Sequence, residues 1–236
     1  TDIVFYEKDY LKLNPTLHEE DIETKFKSIV KALNVLRLKC RNIEIIADIG
    51  CGSCKLLIKI LDYMHKNMDS KICALGIDVS FQILSIGEKH PNLIKLRTDA
   101  EKIPLENNSI SLSLCIDIIE HINHPDLFLK EIARISQFAI FKIPLELCFY
   151  TTIKGGKQRL TKLKNQYGHI HHFNRNSIMQ LVNEHFYIIY EDYEKIPNRA
   201  FFFDKMQEIL LVSNLHHMFA FMFGGFIILL AKSRQA

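Results

Sequence analysis

Apolar positions along this chain fall into two alternating rhythms. Short apolar runs bounded by glycine, proline or an acid read as buried strands, and longer stretches with apolar residues three and four apart read as helices. Ile43 to Ile49 reads as a strand and Ser53 to Asn67 as the helix after it. A strand over Ile72 to Ile77 leads to a helix over Ser80 to His90, with Ser80 as its cap. Strands follow over Asn92 to Thr98 and Ile110 to Ile116, the second alternating with Ser111 and Ser113. Pro125 opens a helix over Asp126 to Ile135, and Phe138 to Ile143 is a fifth strand stopped by Pro144. Strands separated by helices predict right-handed crossovers and a parallel sheet, hence an α/β domain.

The two ends break this rhythm. Residues 1–40 form an N-terminal helical cap segment, with Phe5, Tyr6 and Tyr10 ahead of the turn Asn14-Pro15-Thr16. Thr16 and Glu19 have the spacing of a capping box for a helix to about Leu38, whose Phe26, Ile29, Val30, Leu33 and Leu36 should face a core. Residues 41–236 form the main domain, with an insertion at about 145–168. The insertion holds Gly155-Gly156 and the basic residues Lys154, Lys157, Arg159, Lys162 and Lys164, and reads as either a solvated loop and helix or a substrate cap. Asn174 to His185 is a helix, Phe186 to Tyr193 a strand, and Pro197 to Leu215 irregular and partly helical. Met218 to Ala231, broken by Gly224-Gly225, falls short of the roughly 20 residues a bilayer needs. It reads as a buried strand entered through a glycine turn, with the strand itself over Gly225 to Ala231.

Composition narrows the class only slightly. Hydrophobic content of 48% and charged content of 24% are ordinary for a globular chain of 236 residues. A net charge of +3 with no polybasic block argues against nucleic acid as an obligate partner. The six cysteines lie mostly in or beside apolar runs and no secretory signal is read, so free thiols and a cytoplasmic location are expected. Cys51-Gly52-Ser53-Cys54 has the form of half a zinc or redox site, but no second pair accompanies it.

The chemistry lies at the strand ends, where open α/β sheets bind ligands. Asp48, Gly50 and Gly52 belong to the end of the first strand, Asp78 to the second, Asp99 and Ala100 to the third, and Asp117, Glu120 and His121 to the fourth. Gly50 and Gly52 allow a sharp turn and a close ligand. An acid after the second strand suits a ribose. The dinucleotide fingerprint wants a third glycine, and here Lys55 stands in its place. Asp48 repels a pyrophosphate and suits a ligand carrying positive charge.

Asp48-Ile-Gly50-Cys-Gly52-Ser resembles the first motif of the class I S-adenosylmethionine-dependent methyltransferases. Asp78 matches their ribose acid and Asp99-Ala100 their adenine-side pair. The stretch Leu96 to Leu105 followed by Ser109-Ile110 is similar to the family's approach to its fourth strand. Ile118-Ile119-Glu120-His121-Ile122 with Pro125, and Gly168-His169-Ile170-His171-His172-Phe173 with Ser177, resemble the small-molecule branch of that family. The resemblance covers about residues 40 to 190. It departs from the pattern at Cys54, where the family has a glycine, and at Ser136-Gln137, where it has a glycine turn.

That resemblance implies a Rossmann-like, seven-stranded, mostly parallel sheet with helices on both faces and an antiparallel last strand. It implies an enzyme that moves a methyl group from S-adenosylmethionine to a small-molecule acceptor, most readily an oxygen nucleophile, and releases S-adenosylhomocysteine. Asp48, Gly50, Cys51, Gly52, Asp78, Val79, Asp99, Ala100, Ile116 and Asp117 are the expected donor-binding residues. His121, His169, His171 and His172 are candidate bases, and Tyr6 and Tyr10 candidate substrate contacts. Asp117, Glu120 and His121 with one of the later histidines also resemble a divalent metal site of small-RNA 2′-O-methyltransferases and certain quinone-biosynthesis enzymes. The expectation without that site is that no metal is required. A metal-assisted RNA 2′-O-methyltransferase, a non-catalytic donor-binding or partner-binding module, and a nicotinamide-dependent oxidoreductase are the rival readings.

Overall fold

The computed structural model describes residues 3–17, 19–40, 42–67, 71–153, 156–196 and 201–236. Lys154 and Gly155 of the insertion, and Pro197 at the head of the irregular segment, lie outside them. The strands are β1 (Ile45–Ile49), β2 (Cys73–Asp78), β3 (Leu93–Arg97), β4 (Ile110–Ile116), β5 (Ser136–Pro144), β6 (Phe186–Glu194) and β7 (Phe226–Ser233). They form one sheet in the order β3-β2-β1-β4-β5-β7-β6. β1 to β5 pair in parallel, and β7 runs antiparallel to both β5 and β6. Strand order reverses beside β1, so the crevice between the carboxyl ends of β1 and β4 is where a ligand has room.

Alternation along the strands sorts the core into two layers. Ile46, Leu112, Leu114, Ile140 and Leu230 face one side, with α3 (Ile22–Lys39) and α4 (Lys55–Asn67) packed over them. Ala47, Cys115, Phe141 and Leu229 face the other, under α6 (Pro125–Ile135), α9 (Arg175–His185), α10 (Phe201–Val212) and α11 (His216–Phe223). Ile29, Leu33 and Leu36 of α3 are fully packed, while Phe26 and Val30 sit at its margin.

Three local expectations change. Thr16 and Glu19 form no capping box: a 3₁₀ turn over Glu19–Asp21 precedes α3, and the Glu19 carboxylate is taken by Lys55 at 2.6 Å. Acids at that end still complement the helix dipole. The helix capped by Ser80 is α5 (Phe81–Ile86) and stops short of His90, because Gly87 follows. Its last carbonyls are satisfied by Lys95, whose Nζ donates to Leu84 O and Gly87 O at 2.8 Å each. The run from Met218 is half helix: α11 carries it to Phe223, and β7 begins only after Gly224-Gly225. An uninterrupted apolar run has no period that separates a strand from a buried helix.

The N-terminal segment folds over the sheet's carboxyl edge as α1 (Ile3–Lys8) and α2 (Tyr10–Leu13). Glu7 fastens α1 by accepting from the Phe81 amide (2.8 Å) and from Arg97 (2.9 Å). Asn14 fastens α2 by donating to Gln166 O (3.0 Å) at the end of α8 (Gly156–Tyr167). The insertion, α7 (Phe149–Ile153) and α8, therefore buttresses the cap.

Candidate active site

The loop after β1 turns tightly, with the Gly50 and Cys51 amides both donating to Ile77 O at 2.8 and 3.0 Å. Gly50 (φ +77°) is left-handed, and a β-carbon there would stand 2.8 Å from Ile118 Cδ1. Cys54 also takes a left-handed φ of +64°, at the position where the resembling family has a glycine. Its thiol is buried against Cys51, sulfur to sulfur 3.4 Å.

Asp78 closes on this turn. Its Oδ2 accepts from the Gly52 amide at 3.1 Å and its Oδ1 from the Ser80 amide at 2.9 Å. Burial pushes its carboxyl up, and those backbone bonds oppose the rise. Asp48 is 4% exposed, and burial together with the Asp78 charge pushes it up to about 7 against the pull of Lys25.

Two hollows meet at the turn. The first is walled by Tyr6, Tyr10, Asp78, Val79, Ala100 and His121, among others. The second is walled by Asp48, Cys51, Ser53, Glu19 and Leu56, among others. Gly50, Gly52, Leu17, Lys25 and Ile116 border both. Nine of the ten expected donor residues therefore line the paired hollows, counting Asp117 in the first. Asp99 does not line them: its Oδ1 accepts from the Glu101 amide at 3.0 Å, within the turn after β3.

Asp117 is held rather than free. It sits just past β4 at φ +51°, with Lys25 Nζ at 3.0 Å and Lys142 Nζ at 3.4 Å. Burial would raise its carboxyl, but the two ammonium groups outweigh that and hold it at about 2. Lys142 is 2% exposed side chain, lying 3.2 Å from the Phe226 ring centre and 3.7 Å from Glu194. Neither lysine was expected at the site. The sequence signal was a charge within the apolar run of β5, since Phe138, Ile140 and Lys142 share one face, and another beside the apolar stripe of α3.

The far end of the first hollow is aromatic and imidazole-rich. Tyr6 packs edge-on against His121, ring centres 6.0 Å apart, with Tyr10 at 4.9 Å from Tyr6. Gly168 (φ +84°) lets the cap approach, because a β-carbon there would stand 3.0 Å from the Phe5 ring. The Gly168 carbonyl accepts from His121 Nδ1 at 3.2 Å, which leaves Nε2 as the imidazole lone pair. Burial pushes His121 down to about 3. His169 stacks edge-on at 4.8 Å from His121 and is bonded through Nδ1 to Glu146 Oε1 at 2.7 Å. Burial lowers His169, yet the Glu146 bond and charge lift it above the usual imidazole value. His172 bonds the other Glu146 oxygen, and His171 turns away to Asn123 O at 3.2 Å. Of the four candidate bases, His121 and His169 are thus brought together, His172 stands behind Glu146, and His171 lies apart.

Glu120 was read in the sequence as an acid after the fourth strand and as part of a metal pattern, and not as a donor contact or a base. It is 1% exposed, and among the described residues neither carboxylate oxygen has a hydrogen-bond partner. One oxygen lies within 4.8 Å of ring nitrogens of both His121 and His169.

Residues 47–137 match the family model of a methyltransferase domain. A chain from the Haloferax volcanii complex with the Trm112 methyltransferase activator superposes with a TM-score of 0.64 at 13% identity, covering 95% of this chain and 97% of that one. A Haemonchus contortus phosphoethanolamine N-methyltransferase 2, solved with phosphomonomethylethanolamine and S-adenosylhomocysteine, superposes at 0.57 and 15% identity, covering 86% of this chain and 52% of that one. A Sheeppox virus (strain KS-1) protein named as a fusion protein is 29% identical over 98 residues, which span 42% of this chain and 66% of that relative. The domain match over residues 47–137 and the seven-stranded order, with β7 antiparallel, mark a methyltransferase domain on a Rossmann-like methyltransferase fold.

Proposed function

We propose that the chain methylates a small molecule bearing an oxygen nucleophile, held between Tyr6, Tyr10 and the His121–His169 pair. The observation that carries this reading is that the glycine turn, Asp78, the cap tyrosines and His121 wall one hollow. In this reading Asp78 accepts from the ribose hydroxyls with the lone pairs its backbone bonds leave over. Asp48 faces the donor's ammonium group. The cap and the apolar walls Ile118 and Ile122 exclude water. The sulfonium is already activated, so alignment does most of the work. A hydroxyl acceptor must also lose a proton. His169, with Nδ1 bonded to Glu146, presents Nε2 to take it.

The test is a panel of hydroxylated and amine acceptors scored by S-adenosylhomocysteine release. His169→Asn should lower kcat by about 10²–10⁴-fold with donor affinity unchanged. An unaltered kcat would remove His169 from proton transfer.

Asp48 adds a pH dependence. Its carboxyl is near 3.8 when unperturbed and about 7 here, so the donor-free fold favours the protonated form. The stability this gives is complete below the unfolded value and is lost as pH rises towards 7. A cationic donor favours the ionised form, so donor affinity should tighten between about pH 5.5 and 7.5, by up to about tenfold per unit. Asp48→Asn should flatten both curves, read by calorimetry and thermal unfolding.

A second reading, metal assistance, is favoured by the unpartnered Glu120. Lys25 and Lys142 occupy Asp117, which drops it from the ligand set the resemblance implies. Glu120, His121 and His169 remain and fit a first-row ion: each imidazole has Nδ1 engaged and, among the described residues, no hydrogen bond at Nε2, the arrangement that orients a metal-binding histidine. Such an ion would polarise the acceptor oxygen. Cobalt titration should give a visible absorption band that Glu120→Gln removes; a featureless titration counts against this reading.

A further inference from the structure

Between Leu147 and Asn183 the chain carries six lysines and arginines and no aspartate or glutamate. All 27 acids lie outside that stretch, so a chain of net charge only +3 is electrically lopsided. The same stretch builds α7 and α8, and α7 packs against both α8 and α11. Lys162 and Lys164 stand exposed on α8 and, among the described residues, meet no carboxylate.

Apolar side chains stay in water beside these helices. Phe221 is 67% exposed, Ile153 65% and Phe149 50%, and Leu147 and Met218 are exposed as well. Phe149 of α7 stacks on Phe221 of α11, ring centres 6.2 Å apart and planes 23° from parallel. Leu147, Phe149, Ala220 and Phe221 wall a groove of about 590 Å³. Leu147 and Phe149 point out of the fold, while Glu146 and Cys148, alternating with them, are buried. A contiguous apolar set of this kind marks a contact surface.

Charge and composition select the occupant. A second copy meeting the patch about a two-fold axis would set like charges against each other. Protein hot spots favour Trp, Tyr and Arg. Phe, Ile, Leu and Met beside lysines are instead the make-up of elements that lie in a lipid headgroup layer. A nucleic acid would use the lysines and leave Leu147, Ile153 and Met218 in water. None of the described helices is long and apolar enough to cross a bilayer, so the contact is with its surface.

We propose that α7, α8 and α11 dock the protein on an anionic lipid surface, with Phe149, Ile153 and Phe221 entering the headgroup layer and the α8 lysines meeting lipid phosphates. This goes beyond the methyl-transfer reading and does not depend on it.

The experiment is flotation of the whole chain with phosphatidylcholine vesicles, with and without about 30% phosphatidylglycerol, at low and high salt. Wild type should float with the anionic vesicles and be largely released by salt. Phe149→Ser with Phe221→Ser should weaken that binding by at least about tenfold, and Phe149→Leu with Phe221→Leu should retain most of it. Lys162→Glu with Lys164→Glu should weaken it by roughly tenfold or more. All these positions are exposed, so melting temperature and S-adenosylhomocysteine affinity should match wild type, which guards against unfolding. No flotation of wild type with anionic vesicles would overturn the proposal. So would unchanged flotation of both the serine and the glutamate variants. Retention of the chain by an RNA oligonucleotide or by polyglutamate, without vesicle binding, would assign the basic stretch to another partner and overturn it too.

Discussion

Gly50→Val is expected to abolish measurable donor binding, by at least about 100-fold, while the sheet remains folded. Two effects add. Residue 50 has φ +77°, a conformation that costs a β-branched residue about 1–3 kcal/mol. Its β-carbon would also arrive 2.8 Å from Ile118 Cδ1, on the wall of the hollow. Ile118 can move, but it moves into the space the ligand needs. Circular dichroism should show the α/β fold retained with a lower melting temperature, by about 2–4 °C per kcal/mol for a chain of this size. Normal S-adenosylhomocysteine affinity in this variant would mean that the ligand does not pass over the turn.

Asp78→Ala should weaken the donor by on the order of 1.5–3 kcal/mol, roughly 10–150-fold. The loss has two parts. In the proposed donor placement the ribose hydroxyls lose their acceptor, and the Gly52 and Ser80 amides lose theirs, so the turn itself loosens. Asp78→Asn separates them. It retains a side-chain oxygen for one of the amides and lacks the charge, so it should bind the donor better than Asp78→Ala and worse than wild type. Calorimetry with S-adenosylhomocysteine measures all three. Equal affinity across the series would take Asp78 out of the site.

Much of this arrangement was legible along the chain because it is local. A strand, a tight turn and a helix follow one another within about a dozen residues, and the turn's glycines and acids appear in order. Cys54 shows why the departure from a third glycine is tolerated: the chain still adopts the left-handed conformation, and the thiol fills space beside Cys51. The charged floor of the site was illegible for the opposite reason. Lys25 of α3, Lys142 of β5 and Asp117 just past β4 are far apart in the chain, and their meeting depends on how α3 crosses the sheet. The imidazole end was half legible. Four histidines stood out, but selection of His121 and His169 required the Gly168 carbonyl and Glu146, which lie 47 and 23 residues away respectively. Met218 to Phe223 misled because hydrophobicity alone carries no period.

The tyrosine cap poses a separate question of specificity. Tyr6 and Tyr10 are held over the hollow by contacts at both ends, Glu7 to α5 and Asn14 to α8. Burial and the surrounding carboxylates push the Tyr10 hydroxyl far up, so it stays protonated and serves as a donor or acceptor, never as a phenolate base. In the function proposed above, proton removal therefore falls to His169 rather than to Tyr10.

The function proposed above places S-adenosylmethionine in the hollow at the Gly50–Gly52 turn. Calorimetric titration of the purified chain with S-adenosylhomocysteine, alongside NAD, tests it most directly. The expected result is saturable one-to-one binding of S-adenosylhomocysteine, lost in Gly50→Val, and no heat from NAD. Binding of NAD in its place, or S-adenosylhomocysteine binding that survives Gly50→Val unchanged, would contradict the account.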